Sequence, residues 1–177
     1  MQVFTVHGGE AFSTYEEYLS YLKTTPVDLE SLKRKGWKSH LEKELGEGYE
    51  VLSPRMPNAQ NAKYNEWKIW FERLTPFIQE TAVLVGGSLG GIFLAKYLSE
   101  NDFPKAIRAT FLLAPPFGYL DFSVPTSFKK FEKQGGQIFL YHSKDDSIVD
   151  FSDFEKFRKA LPRARVRIFE DKGHFNQ

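Results

Sequence analysis

The sequence predicts an α/β fold in three layers: a six-stranded, mainly parallel, doubly wound sheet with helices on both faces. Three observations predict it. Six short apolar segments alternate with segments of helical period along the 177 residues, the alternation from which parallel sheets are built. Residues 106–113 run apolar almost without a break up to Ala114-Pro115-Pro116, as a strand buried on both faces does. Gly86-Gly87-Ser88-Leu89-Gly90-Gly91 joins a strand directly to a helix. Right-handed crossovers restrict the topology, and the expected strand order is 2-1-3-4-5-6.

The first strand, residues 3–6, ends in His7-Gly8-Gly9, a glycine pair suited to a tight turn or a close backbone approach. Residues 13–23 place Tyr15, Tyr18, Leu19 and Leu22 on one helical face, with Ser13 and Glu16 as reciprocal caps. Pro26 breaks the chain. A weaker helical period follows over 29–45, on Leu32, Trp37, Leu41 and Leu45, with Gly36 as an interruption and Gly46-Glu47-Gly48 as its stop. Residues 49–53 form the second strand and lead into the rigid loop Pro54-Arg55-Met56-Pro57-Asn58. Residues 64–78 are amphipathic, with Trp67, Trp70, Phe71 and Leu74 as the buried stripe; aromatics at this spacing read as core.

The third strand, 81–85, enters the Ser88 turn, and its helix ends near Asn101. After the fourth strand come a loop over 117–125 and a short helix over 126–133, closed by Gly135-Gly136. The fifth strand, 137–142, precedes the polar loop Ser143-Lys144-Asp145-Asp146-Ser147 and a helix over 150–161, stopped by Pro162. The sixth strand, 164–169, precedes Glu170 to Phe175. There is no internal repeat, low-complexity tract or linker, so residues 1–177 read as one domain without a cap domain. The loops 54–58 and 117–125 are then the segments left to shape a pocket.

Composition narrows the function. Lys plus Arg number 24 against 23 Asp plus Glu, which gives no electrostatic basis for nucleic acid or an anionic membrane as partner. There is no cysteine, which excludes disulfides, thiolate catalysis and zinc–thiolate sites. The first residues have neither the basic nor the long apolar stretch of a secretory signal, and no run reaches transmembrane length. A cytoplasmic location is the expectation.

Strand, glycine-flanked serine and helix make a nucleophile elbow, G-x-S-x-G. A serine at the tip of so sharp a turn has a strained backbone and close neighbours, which glycine accommodates. Its hydroxyl is exposed beside a helix N-terminus. The plainer reading is a glycine-rich turn, which can also cradle phosphate. A serine hydroxyl needs a basic neighbour, usually histidine, oriented by a carboxylate. Asp145-Asp146 follows the fifth strand and His174 the sixth. Singly, such an aspartate is more often a helix cap and such a histidine a surface residue. Ligands of open α/β sheets bind beyond the carboxyl ends of the strands. His7, Ser88, the Pro115 loop, Asp145, Asp146 and His174 should therefore meet at one edge. The backbone amides of Leu89 and Gly9 are the candidate oxyanion donors. His7 is expected to hold its turn, His40 to be solvated and His142 to pack or hydrogen-bond. Arg55 reads as a surface residue, with a rim contact to an anionic substrate as the alternative. The four histidines show no zinc spacing.

His7-Gly8, the elbow over 86–91, Asp145-Asp146-Ser147-Ile148-Val149 and Gly173-His174-Phe175 resemble the α/β-hydrolase superfamily, over nearly the whole chain. The brevity, Asp145-Asp146 and Asp171-Lys172-Gly173-His174-Phe175 resemble its small serine hydrolases of the retinoblastoma-binding-protein-nine type. The resemblance implies a serine hydrolase acting on a small-molecule ester or related acyl substrate, without metal or organic cofactor. It assigns Ser88 as nucleophile, His174 as base and Asp146 as the orienting acid. Asp146 fits the family frame of one small residue, two apolar residues and a turn into a helix; Asp145 is one step out and reads as a loop cap. Ile148 and Val149 should then pack inward. Three departures stand out: Gly87 where many relatives carry histidine, no leading antiparallel strands, and no helix after His174. The last leaves the final apolar strand to be covered by a second copy of the chain, as in a homodimer, or leaves the C-terminus mobile. A catalytically idle interaction module and an acyltransferase are the alternative functions on the same fold.

Overall fold

The computed structural model describes residues 1–29 and 40–175. Leu32, Gly36 and Trp37, part of the weak helical period, lie outside them. The described residues form a six-stranded sheet in the order β2-β1-β3-β4-β5-β6, as the sequence predicts. Its strands are β1 (Gln2–Val6), β2 (Glu50–Leu52), β3 (Ala82–Gly87), β4 (Ile107–Leu113), β5 (Gln137–Ser143) and β6 (Arg165–Phe169). Every neighbouring pair is parallel. Helices α1 (Tyr15–Thr24), α2 (Leu41–Leu45), α3 (Tyr64–Leu74), α4 (Leu89–Glu100), α5 (Lys129–Gln134) and α6 (Phe151–Ala160) are distributed between them.

Register places the site. Val6 pairs with Gly86, Gly87 with Leu113, Leu113 with Tyr141, and Ser143 with Phe169. Five strands thus end level at one edge, and the loops that leave them face one another.

The main core lies on the side of α3, α4 and α6. Phe4, Trp67, Phe71, Phe93, Phe154 and Phe157 are fully buried there, each burial contributing about 1.5–3 kcal/mol. The helix α4 is apolar all round, with residues 89–98 buried, as befits a helix at the centre of a layer. Its Lys96 ends on Glu100, 2.6 Å away. On the other face Val3, Val83, Val85 and Ala109 form a smaller cluster against Leu41, Leu45 and Tyr49, and Phe111 stacks on Phe139 at 4.3 Å. The outer strand β6 leaves Val166 and Ile168 exposed. Among the described residues no helix is long and apolar enough to cross a membrane.

Three local expectations are corrected. The cap of α1 is Thr14, not Ser13: Thr14 Oγ1 accepts the Glu17 amide at 3.1 Å, and Glu17 reaches back to the Thr14 amide. Ser-Thr-x-Glu-Glu offers two overlapping capping boxes, and only one residue can hold the extended cap conformation. The helix α1 buries none of its residues; Tyr15 and Leu22 are exposed. The helix α3 ends at Leu74 and tightens into a 3₁₀ turn at Thr75–Phe77, because Pro76 cannot donate to an α-helical ladder. Trp70 is not in its buried stripe. It lies on the flank and donates its indole N–H to Arg55 O at 3.1 Å, while Tyr64 takes the buried place with Trp67 and Phe71.

Candidate active site

Ser88 sits between the last residue of β3 and the first of α4 at φ 52°, ψ −123°. A non-glycine residue there carries about 1–3 kcal/mol of strain, which its surroundings must hold in place. The Ser88 amide donates to Leu113 O at 2.8 Å, and its carbonyl accepts the Gly91 amide at 2.8 Å. Glycine is demanded by contact: a Cβ on Gly86 would lie 2.5 Å from Gly90 O, and one on Gly90 would lie 2.5 Å from His7 O.

The turn after β1 packs on this elbow. His7 Nε2 accepts the Met56 amide at 2.8 Å, so Nδ1 carries the proton and faces Gly8 O at 2.5 Å. His7 holds the turn, as the sequence predicts. A Cβ on Gly8 would lie 3.1 Å from Ser88 Cβ, and one on Gly9 only 2.6 Å from Ala59 O and 3.4 Å from Leu89 Cδ2. Gly9 and Leu89, the two candidate amide donors, therefore adjoin each other beside Ser88. Among the described residues the Gly9 amide has no backbone acceptor. Leu89 opens α4, where amides have no acceptor one turn earlier.

After β5 and β6 the two aspartates divide. Asp146 is enclosed, its side chain without solvent exposure. Its Oδ1 accepts the amides of Ile148 at 2.9 Å and Val149 at 3.0 Å, and its Oδ2 faces His174 Nδ1 at 2.8 Å. Asp145 points the other way. Its Oδ1 accepts Ser143 Oγ at 2.5 Å and the Gly173 amide at 2.8 Å. The Ser143 hydrogen bond first, and the backbone amides after it, hold its carboxyl below the usual carboxylate range. Ser143 Oγ also accepts the Lys172 amide at 2.9 Å. Asp145 is thus more than a cap of its own loop: it tethers the segment that carries His174. Ile148 corrects another expectation. It is exposed while Val149 is buried, because only Val149 turns under the loop toward the core.

Ser88 and His174 line one cleft of about 400 Å³, with Gly8, Gly9, Glu10 and Ile148. Glu10 is half-buried there; burial raises its carboxyl from the usual value, opposed by the charge of His174. Arg55 lines an adjoining cavity, with Lys63 and Glu66, and not the Ser88 cleft. Neither of the loops 54–58 and 117–125 lines the Ser88 cleft; Ala59, Gln60, Ile148 and Phe175 supply walls instead. Phe122 of the second loop is drawn wholly into the core.

The family model described as serine hydrolase matches residues 29–177. The chain belongs to the serine hydrolase family. Solved structures agree on the architecture of this serine hydrolase. The ydeN gene product of Bacillus subtilis superposes with a TM-score of 0.74 at 22% identity, over 98% of this chain and 87% of that one. A putative YdeN-like hydrolase from Pectobacterium atrosepticum gives 0.68 at 16%, over 99% and 80%. The methylesterase MES16 from Arabidopsis gives 0.62 at 14%, over 99% and 91%. Such likenesses, with the strand order, show an α/β-hydrolase fold. Among curated proteins none matches the chain.

The structure brings the candidates Gly9, Ser88, Leu89, Asp146 and His174 to one edge of the sheet and leaves Arg55 outside their cleft. It adds Glu10, Ser143 and Ile148. Glu10 directly follows His7-Gly8-Gly9, which is a usable signal. Ser143 and Ile148 have none beyond lying on either side of Asp145-Asp146. Among the described residues no group of three histidines or carboxylates is placed to hold a metal ion.

Proposed function

We propose that this serine hydrolase cleaves small carboxylic esters through an acyl-enzyme, with Ser88, His174 and Asp146 as the triad. The observation that carries the reading is the 2.8 Å contact of His174 Nδ1 with the enclosed Asp146 Oδ2, on a histidine that shares its cleft with Ser88. The Asp146 carboxylate accepts from Nδ1–H and leaves Nε2 as a bare lone pair, the form that accepts a proton. Ser88 Oγ attacks the carbonyl carbon while its proton passes to His174 Nε2. The amides of Gly9 and Leu89 stabilise the oxyanion. His174 then protonates the leaving alcohol, and the acyl-enzyme forms. Water repeats the sequence from the other side, releasing the acid and restoring Ser88. Two structural neighbours, a methylesterase from Arabidopsis and an esterase from Pyrococcus furiosus, support an ester over other acyl compounds. The modest cleft supports a small acyl or alcohol group.

The test is a fluorophosphonate probe with mass mapping of the adduct, beside hydrolysis of p-nitrophenyl acetate. Ser88 should carry the label, and Ser88→Ala should lose both label and turnover. A folded Ser88→Ala protein that still hydrolyses the ester would overturn the assignment. A wild type that neither labels nor turns over would favour an idle interaction module.

A further inference from the structure

A second histidine stands behind the triad acid. His142, near the end of β5, is fully buried, and its ring belongs to no step of the mechanism above. Its Nε2 lies 3.0 Å from Val149 O and 3.8 Å from Asp146 Oδ2. Both of those oxygens can only accept, so Nε2 carries the ring proton and donates. Its Nδ1 has no hydrogen-bond partner among the described residues. The imidazole packs on two phenyl rings, with centroids 5.7 Å from Phe151 and 5.9 Å from Phe154.

A histidine that only filled space would be a poor choice here. An apolar ring would pack on Phe151 and Phe154 equally well and leave no buried nitrogen unpaired. What an apolar ring cannot supply is the Nε2–H. That donor closes the turn that carries Asp146. The amides of Ile148 and Val149 hold Asp146 Oδ1 from one side, and His142 holds the carbonyl of the same Val149 from the other. With both ends of residue 149 fastened, the carboxyl has one orientation, and Oδ2 faces His174.

We propose that His142 is a positioning residue of the site, holding the Asp146 turn so that Oδ2 meets His174 Nδ1. The inference rests on the triad reading, and two kinds of measurement separate the two. Three full-length variants are compared with wild type. His142→Phe keeps the ring and loses the donor. His142→Asn keeps a polar side chain, but one too short to bring its N–H to Val149 O. His142→Gln restores an N–H near the Nε2 position. In p-nitrophenyl acetate hydrolysis, kcat should fall about tenfold in the Phe and Asn variants, the worth of roughly one hydrogen bond. KM should stay near wild type, and Gln should recover most of kcat. Independently of turnover, the His174 ring N–H in proton–nitrogen NMR reports its bond to Asp146. That signal should persist in Gln and broaden or vanish in Phe and Asn. Folded Phe and Asn variants with wild-type kcat and an unchanged His174 signal would overturn the proposal. So would a Gln variant as impaired as Phe. If Ser88 fails to label in wild type while the His174 signal still depends on His142, the triad reading fails and the positioning role stands.

Discussion

Replacing Asp146 by asparagine keeps the shape of the side chain and changes one oxygen into an amide nitrogen. The nitrogen has two places to go. At the Oδ1 place it would confront two N–H donors, those of Ile148 and Val149, at 2.9 and 3.0 Å. At the Oδ2 place it confronts one, the His174 ring nitrogen at 2.8 Å. The second arrangement costs less, because His174 can move its proton from Nδ1 to Nε2 and accept from the new amide. A neutral imidazole so turned presents N–H to Ser88 and cannot take its proton. Asp146→Asn should therefore lower kcat by about 10⁴, the cost of the wrong tautomer in a triad, or about 5.4 kcal/mol on the barrier. Stability should fall by only about 1–3 kcal/mol, since the shape and most hydrogen bonds survive. Asp145→Asn, which touches only the tether to Gly173 and Ser143, should cost less than about tenfold in kcat, the scale of one hydrogen bond. The assay is initial-rate hydrolysis of p-nitrophenyl acetate and fluorophosphonate labelling of both variants, with thermal melts as the folding control. A folded Asp146→Asn protein that labels within tenfold of wild type would refute the reasoning, as would Asp145→Asn being the more damaged.

Two further outcomes are expected. Gly90→Ala places a Cβ 2.5 Å from His7 O, where a carbon–oxygen contact of about 3.3 Å is ordinary; α4 must retreat, costing about 1–3 kcal/mol and several degrees in a thermal melt, and an unchanged melting temperature would refute the packing. The Asp145 carboxyl is held low in the folded state, so its contribution to stability is present above the unfolded carboxylate value of about 3.9 and is lost as pH falls through the lower folded value; the stability difference between wild type and Asp145→Asn should shrink as pH falls below the unfolded value, and denaturant titrations showing a constant difference would contradict it.

The fold was legible because its signals are local and repeated. Each strand is a short apolar run, and Gly86, Ser88 and Gly90 mark a turn that few other geometries require. Crossover handedness restricts the topology without reference to side-chain detail, and the expected strand order is the one observed. The candidate triad partners are legible by position, since each follows a strand end and parallel strands bring those ends to one edge. What was not legible depends on packing chosen among equivalent local options. Ser13 and Thr14 each begin a capping box, and the chain's entry angle decides between them. Trp70 and Tyr64 are both compatible with an amphipathic stripe; the choice is made by Arg55 O, fifteen residues away, which satisfies the Trp70 indole. The expected pocket walls differ from those observed because Phe122 is apolar enough to join the core, and loop 117–125 contributes nothing to the cleft lining.

The paired aspartates show why adjacent residues of one type need not be redundant. Successive side chains of an extended or turning segment point to different sides, so a single dipeptide can hold two different objects. Ser143, the last residue of β5, pairs with Phe169, the last residue of β6, and the two loops leave the sheet side by side. Asp145 faces the neighbouring loop and takes its backbone, through Gly173 N directly and Lys172 N by way of Ser143 Oγ. Asp146 faces the cleft and takes its side chain, through His174 Nδ1. One carboxylate fixes where the His174 backbone lies, and the other fixes how its ring is turned. An imidazole needs both, because a ring correctly turned on a displaced backbone does not reach Ser88. The Asp145-Asp146 order is then a consequence of the parallel register: exchange of their roles would require the β5 loop to rotate by one residue, and Val149, held at both its amide and its carbonyl, prevents it.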